Sequence, residues 1–185
     1  SALYRPAAEN FEATLPYLQH PVLRQRARQR FDEETRASQT MPLPSGEGSG
    51  LIRQILALHP GKVVLLDFWA VWCAPCKADI QATQALRRRL RDECPELALV
   101  FLAHEPKPDR PAYVDFVRTY LSGEEVIPIS DDQLHLLMDL FQFSALPFAA
   151  TLTPDGRLLR QSLLLSPELT AEALHRQVRE VLGAE

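Results

Sequence analysis

Apolar positions along this chain follow two rhythms, and their alternation sketches a fold before any chemistry is considered. Near the N-terminus Leu23, Ala27 and Phe31 recur every four residues among Arg24, Arg26, Arg28 and Arg30, the narrow apolar stripe of a charged helix. Glu33 and Glu34 follow at once, so the arginines read as a solvated face rather than a site for an anionic partner. From Met41 to Gly50 the chain is rich in Pro, Gly and Ser without a period, and a linker is expected there. A short helix over about 51–58 then leads to an unbroken apolar run at about 62–68, a buried strand. The next helix is expected to continue to about 93, where Cys94-Pro95 stops it. Residues 97–103 form a second continuous apolar strand. Two such strands joined through a helix predict a parallel pair with a right-handed crossover.

Two more helical stripes follow. Tyr113, Phe116, Val117, Tyr120 and Leu121 make the first; Leu134, Leu137, Met138 and Phe141 make the second, opened by Ser130 and Gln133 in capping-box spacing. Between them residues 125–129 are expected as an edge strand, since Pro128 is excluded from a central one. Residues 147–153 and 157–161 flank Pro154-Asp155-Gly156, a hairpin signal. A last helix is expected to open at Ser166-Pro167 and stop at Gly183. The sum is an α/β fold, a central mixed sheet with helices on both faces. Residues 1–45 are assigned to a helical N-terminal extension and linker, compatible with the tail of an upstream domain, and 46–185 to the α/β domain.

Composition narrows the class. Of the 20 basic residues only Lys62, Lys77 and Lys107 are lysines, and the net charge is −4. The scattered arginines and acidic balance argue against a nucleic-acid binder. No run of 18 apolar residues exists, so no membrane-spanning helix is expected. The opening Ser-Ala-Leu-Tyr resembles a fragment or a mature form.

The chemistry concentrates where the first apolar strand ends, at Trp72-Cys73-Ala74-Pro75-Cys76-Lys77. Cys73 falls at a helix start, where unpaired N–H groups and the helix dipole favour a thiolate, the form that attacks disulfides. Cys76 lies one turn on and can close on Cys73 to release a mixed disulfide. Cys94 is left over and reads as a buried small residue. Asp67, an acid inside an apolar strand, is either buried at real cost or exposed by register.

The window GKVVLLDFWAVWCAPCK resembles the thioredoxin superfamily, and within it the TlpA- and ResA-like branch of the bacterial envelope. The resemblance rests on Gly61-Lys62, on Asp67 before Phe68-Trp69-Ala70, on Trp72 before the first cysteine and on Lys77 after the second. It extends over about residues 50–183 and implies a thioredoxin-like fold. It also implies that Asp67 is buried beneath the cysteines and shuttles the proton of Cys76. It implies a cis Leu146–Pro147 bond facing the dithiol, with the Leu146 backbone free to pair with an extended substrate. Asp79 stands where relatives carry an acid near the thiols, although a solvated helix residue is the simpler reading. Gln81 replaces a helix-kinking proline of many relatives, so a straighter helix is expected; His104 is given no catalytic role.

The function expected is a thiol–disulfide oxidoreductase without a cofactor. Ala74-Pro75 offers no His to stabilise the reduced form, which favours a reductant or isomerase of protein disulfides over an oxidant. The expected partners are protein disulfide or dithiol substrates and an upstream reductant, in the periplasm or cell envelope, with any anchor outside this chain. Two alternatives share the fold. A thiol peroxidase requires a different sequence before its cysteine than Ala70-Val71-Trp72. A copper-binding module could use two thiolates.

Overall fold

The computed structural model describes residues 11, 13, 15–17 and 20–183, so the first ten residues of the expected extension lie outside it. The chain divides between Gln39 and Thr40 into two compact units. In the first, a 3₁₀ turn (Leu15–Tyr17) precedes helix α1 (Pro21–Gln39). Phe31 stacks on Phe11 at 4.0 Å, whereas Leu23 of the same stripe stays exposed.

The second unit runs in chain order through β1 (Thr40–Pro42), α2 (Ser49–Leu58), β2 (Val63–Ala70), α3 (Ala74–Ala82), α4 (Gln84–Glu93), β3 (Leu97–His104), α5 (Pro111–Tyr120), β4 (Glu125–Ile129), α6 (Asp131–Phe141), β5 (Phe148–Leu152), β6 (Arg157–Leu159) and α7 (Ala171–Leu182). Its six strands form one mixed sheet in the order β1-β6-β5-β2-β3-β4. β2, β3 and β4 are parallel neighbours, and β5 pairs antiparallel with β2. β4 lies at the edge, as Pro128 requires.

The alternation of β2 divides the core. Val64, Leu66 and Phe68 pack with Ile52 and Ile55 of α2 and with Leu134, Leu137 and Leu140 of α6. On the opposite face Leu65 joins Leu86 and Leu90 of α4 and Leu174 and Val178 of α7. Further along that face Trp69 joins Ile80 of α3 and Tyr113 of α5. Asp67 is the residue between Leu65 and Trp69 on this second face.

Three local expectations are corrected. Thr40, Met41 and Pro42 pair antiparallel with β6, so the expected linker opens with a strand. Arg157 Nε fastens that strand by donating to Thr40 Oγ1 at 2.8 Å. The last helix starts at Ala171, not at Ser166-Pro167. Thr170 is its N-cap and accepts from Ala173 N–H at 3.1 Å, while Leu169 N–H closes a separate turn onto Ser166 C=O. A side-chain cap that satisfies an orphan N–H outcompetes a proline that only tolerates the first turn.

The third correction concerns the helix after the cysteines, which is not continuous to 93 but breaks at Thr83 between α3 and α4. No proline or glycine sits there. Instead a side chain enters the backbone ladder: Arg87 donates to Ile80 C=O and to Thr83 Oγ1, both at 2.7 Å. Insertion of a polar side chain is an established cause of such breaks, and it replaces the straighter helix expected from Gln81. The capping box at Ser130 and Gln133 stands as expected.

Candidate active site

β2 delivers its last residues to the C-terminal end of the parallel strands, and a tight turn (Cys73 N–H to Ala70 C=O, 3.0 Å) feeds α3. Cys73 is the N-cap of α3, with Pro75 in the first turn where its missing N–H costs nothing. Cys73 and Cys76 are joined in a disulfide with Cα atoms 5.3 Å apart. Cys76 N–H lies 3.3 Å from Cys73 Sγ, so the sulfur already accepts a backbone hydrogen bond of the kind that stabilises a thiolate. Both cysteines are buried, but Trp72, Ala74 and Pro75 around them are exposed.

The structure brings the expected partners to this end of the sheet to different degrees. The Leu146–Pro147 bond is cis. Leu146 packs against the cluster that contains Cys73, Cys76 and Trp69. Pro147 itself is exposed and precedes Phe148, which pairs with Phe68 near the end of β2. Asp79 is exposed on α3.

Asp67 retains some accessible surface as a residue, yet its carboxyl is enclosed by the sheet and the helices above it. Burial pushes its pKa up to about 7; the Arg87 guanidinium pulls the other way, and Asp79 adds a smaller upward push. Such a carboxyl exchanges protons near neutrality, as a general base for a thiol requires.

Two features of the site were not legible as function in the sequence. Trp72 Nε1–H donates to His104 Nδ1 at 3.3 Å, and His104 Nε2 lies 2.6 Å from Asp131 Oδ1. An indole only donates, so His104 Nδ1 is the acceptor and its Nε2–H faces Asp131. The second feature is Arg87, fully buried on α4. Its Nε donates to Glu124 Oε1 at 3.2 Å and an outer nitrogen donates to Tyr120 C=O at 2.7 Å. Among scattered arginines nothing marked this one.

Cys94 stands apart. It caps the C-terminus of α4, and burial, with Glu96 nearby, pushes its thiol up to about 11. Its sulfur lies within 4.8 Å of a carboxylate oxygen of Glu96 and a ring nitrogen of His175, and His175 Nε2 is 3.4 Å from Glu96 Oε2.

With this geometry in place, comparison with known proteins fixes the class. The thioredoxin-like family matches residues 61–158, just over half of the chain, and the chain belongs to that family. More particularly, it is similar to the thiol-disulfide oxidoreductase ResA of Oceanobacillus iheyensis, 29% identical over 53% of this chain and 47% of that protein. It is 24% identical to ResA of Bacillus subtilis over 62% of this chain and 59% of the relative. The matched regions thus span about half the length of these curated relatives. Among solved structures, the thioredoxin domain of a thiol-disulfide oxidoreductase from Bacteroides vulgatus shares the fold (TM-score 0.51, 17% identity, 68% of this chain and 82% of that one). A thiol:disulfide interchange protein from Chlorobium tepidum does so equally (TM-score 0.51, 17% identity, 69% and 84%).

Proposed function

We propose that this chain is a thiol–disulfide oxidoreductase that reduces or isomerises protein disulfides. The observation that carries the reading is the Cys73–Cys76 disulfide at the N-terminus of α3, with Asp67 titrating near neutrality on the strand behind it. In the reduced protein the Cys73 thiolate attacks a substrate S–S bond. A Cys73–substrate disulfide forms and the other substrate sulfur leaves as a thiolate. Asp67 takes the proton of Cys76; the Cys76 thiolate attacks Cys73 Sγ, the second substrate thiolate leaves, and the protein disulfide is restored. Two electrons pass from the dithiol to the substrate, and an upstream dithiol reductant returns them.

Pro147 and the Leu146 backbone are assigned to the substrate side of the site, supported by the family resemblance and by the packing of Leu146 against the cysteine cluster. The ResA-like resemblance supports a location in the bacterial envelope. Among the described residues no helix is long and apolar enough to cross a membrane, so any anchor would be contributed from outside them.

Reaction of the reduced protein with a peptide disulfide tests this reading. Cys76→Ser should accumulate the mixed disulfide on Cys73, identified by mass spectrometry, and Cys73→Ser should abolish exchange. Exchange that survives in Cys73→Ser would overturn the assignment. The reduction potential of the couple then decides direction, since a reductant needs a value well below that of its substrates.

A further inference from the structure

A fully buried arginine demands an explanation, because arginine does not shed its charge and is almost never enclosed unless paired. Arg87 is held by four hydrogen bonds to four different groups: Glu124, Ile80 C=O, Thr83 Oγ1 and Tyr120 C=O. Two of these are carbonyls near helix C-terminal ends, of α3 and of α5, where backbone acceptors lack helical donors and a cation is favoured. Its partner is set by the chain turn after α5. Gly123 adopts φ +84°, a conformation that other residues rarely take, and the next residue, Glu124, has a side chain only 6% exposed.

The guanidinium lies over the ring of Phe101, 5.3 Å from its centroid. Phe101 is the β3 residue in register with Asp67 on β2. The charge therefore sits above the strand beside Asp67, on the face that also carries the cysteine cluster. The groups facing Asp67 from the surrounding elements are Arg87 of α4 and Asp79 of α3. Arg91 and Glu124 stand behind Arg87, with Arg91 Nη1 3.7 Å from Glu124. From β3 and β5 the residues in register with Asp67 are Phe101 and Ala149, both uncharged.

We propose that Arg87, pinned by Glu124, is the positioning residue for Asp67: it is the fixed positive charge that keeps this enclosed carboxyl able to ionise, and so to take the proton of Cys76. The same side chain breaks the helix at Thr83, so the interruption between α3 and α4 makes room for the charge. Desolvation pushes Asp67 toward the protonated form, in which it is no base for Cys76, and a neighbouring cation offsets that penalty. The inference rests on the oxidoreductase reading for its consequence, but the coupling between the two side chains is measurable without turnover.

The test is the titration of the Asp67 carboxyl by ¹³C NMR in the oxidised protein, where neither active-site cysteine titrates. Arg87→Met combined with Glu124→Leu removes both charges together, leaving no lone buried carboxylate to unfold the chain. Its Asp67 midpoint should rise by about one pH unit or more. Glu124→Gln leaves the cation with less compensation, and the midpoint should fall. Opposite movements on removing the whole ion pair and on removing only its acid are not what a merely structural role would give. In the reduced double variant, resolution of the mixed disulfide at neutral pH should slow by about fivefold or more, with its pH profile displaced to the alkaline side. An Asp67 midpoint that stays put in the double variant, or that moves the same way in both variants, would overturn the proposal. A wild-type protein that exchanges no disulfides would overturn the proposed function and the consequence for Cys76, while the titration would still decide whether Arg87 governs Asp67.

Discussion

Cys73 and Cys94 are almost equally buried, 3% and 1% exposed, yet they occupy opposite poles of one broken helix. Cys73 caps the N-terminus of α3, where its sulfur accepts from the Cys76 N–H at 3.3 Å. Cys94 caps the C-terminus of α4, and its own N–H is spent on Leu90 C=O at 2.9 Å. The first sulfur faces the positive end of a helix and the second faces a negative one. The acids nearby differ as well: Asp67 has Arg87 for a charged neighbour, whereas Glu96 lies beside Cys94 and pushes its thiol further up. Burial alone does not make a cysteine inert or reactive; the polarity of what encloses it does.

The largest effect that would sharpen this contrast is expected at Asp67. A carboxyl whose folded pKa is about 7, against 3.8 unperturbed, favours folding most when protonated. Its contribution is present in full below the unfolded value, falls as pH rises through the window between the two, and is level above it. Asp67→Asn should therefore match the wild type near pH 4. The variant should become more stable as pH rises, by up to about 4 kcal/mol above pH 7, while disulfide exchange slows. Denaturant midpoints of the oxidised proteins across that range would show it. A variant less stable at neutral pH would mean that Asp67 is held as a salt-bridged structural acid.

The second test sets the two thiols against each other in the reduced protein. With its pKa pushed up to about 11, Cys94 holds a thiolate fraction of about one in ten thousand at pH 7; its higher intrinsic nucleophilicity recovers only part of that deficit. Alkylation of Cys73 should be faster by about a hundredfold from ionisation alone, and by more once access is counted. Peptide mapping of a brief iodoacetamide pulse would read the ratio. Equal rates would break the comparison.

Much of the fold was legible because the signals are local. The capping box at Ser130 and Gln133 and the turn at Pro154-Asp155-Gly156 each involve neighbours in sequence, and both hold. The cysteines were legible for the same reason, through a strand running straight into a helix start. What escaped is non-local. Arg87 is one of 17 arginines, and its burial makes sense only once Ile80, Tyr120 and Glu124 converge on it from sites up to 37 residues away. The Thr83 break depends on that convergence. β1 was hidden because its three residues adjoin a stretch rich in Pro and Gly, and only β6, more than a hundred residues later, makes them a strand. His104 reads as the end of a strand until Trp72 and Asp131 are placed on either side of it.

The smallest expected effect is at Cys94, and it is the one that separates the two poles most cleanly. Cys94 packs in the cluster with Leu90, Leu97 and Leu174, at the α4 end that leads into β3, whereas the cysteine pair stands at the other end of β2 and β3. Cys94→Ala removes one buried sulfur and leaves the Leu90 C=O satisfied, because the bond is made by the backbone. The cost should be about 1–2 kcal/mol of stability for the small cavity. The exchange rate of the Cys73–Cys76 couple should remain within about twofold of wild type, as distant sites without shared partners act independently. Chemical denaturation and the peptide-disulfide assay measure the two quantities on one sample. If exchange fell tenfold with stability unchanged, Cys94 would be a third working thiol, and position on the helix would no longer explain why one cysteine reacts and the other does not.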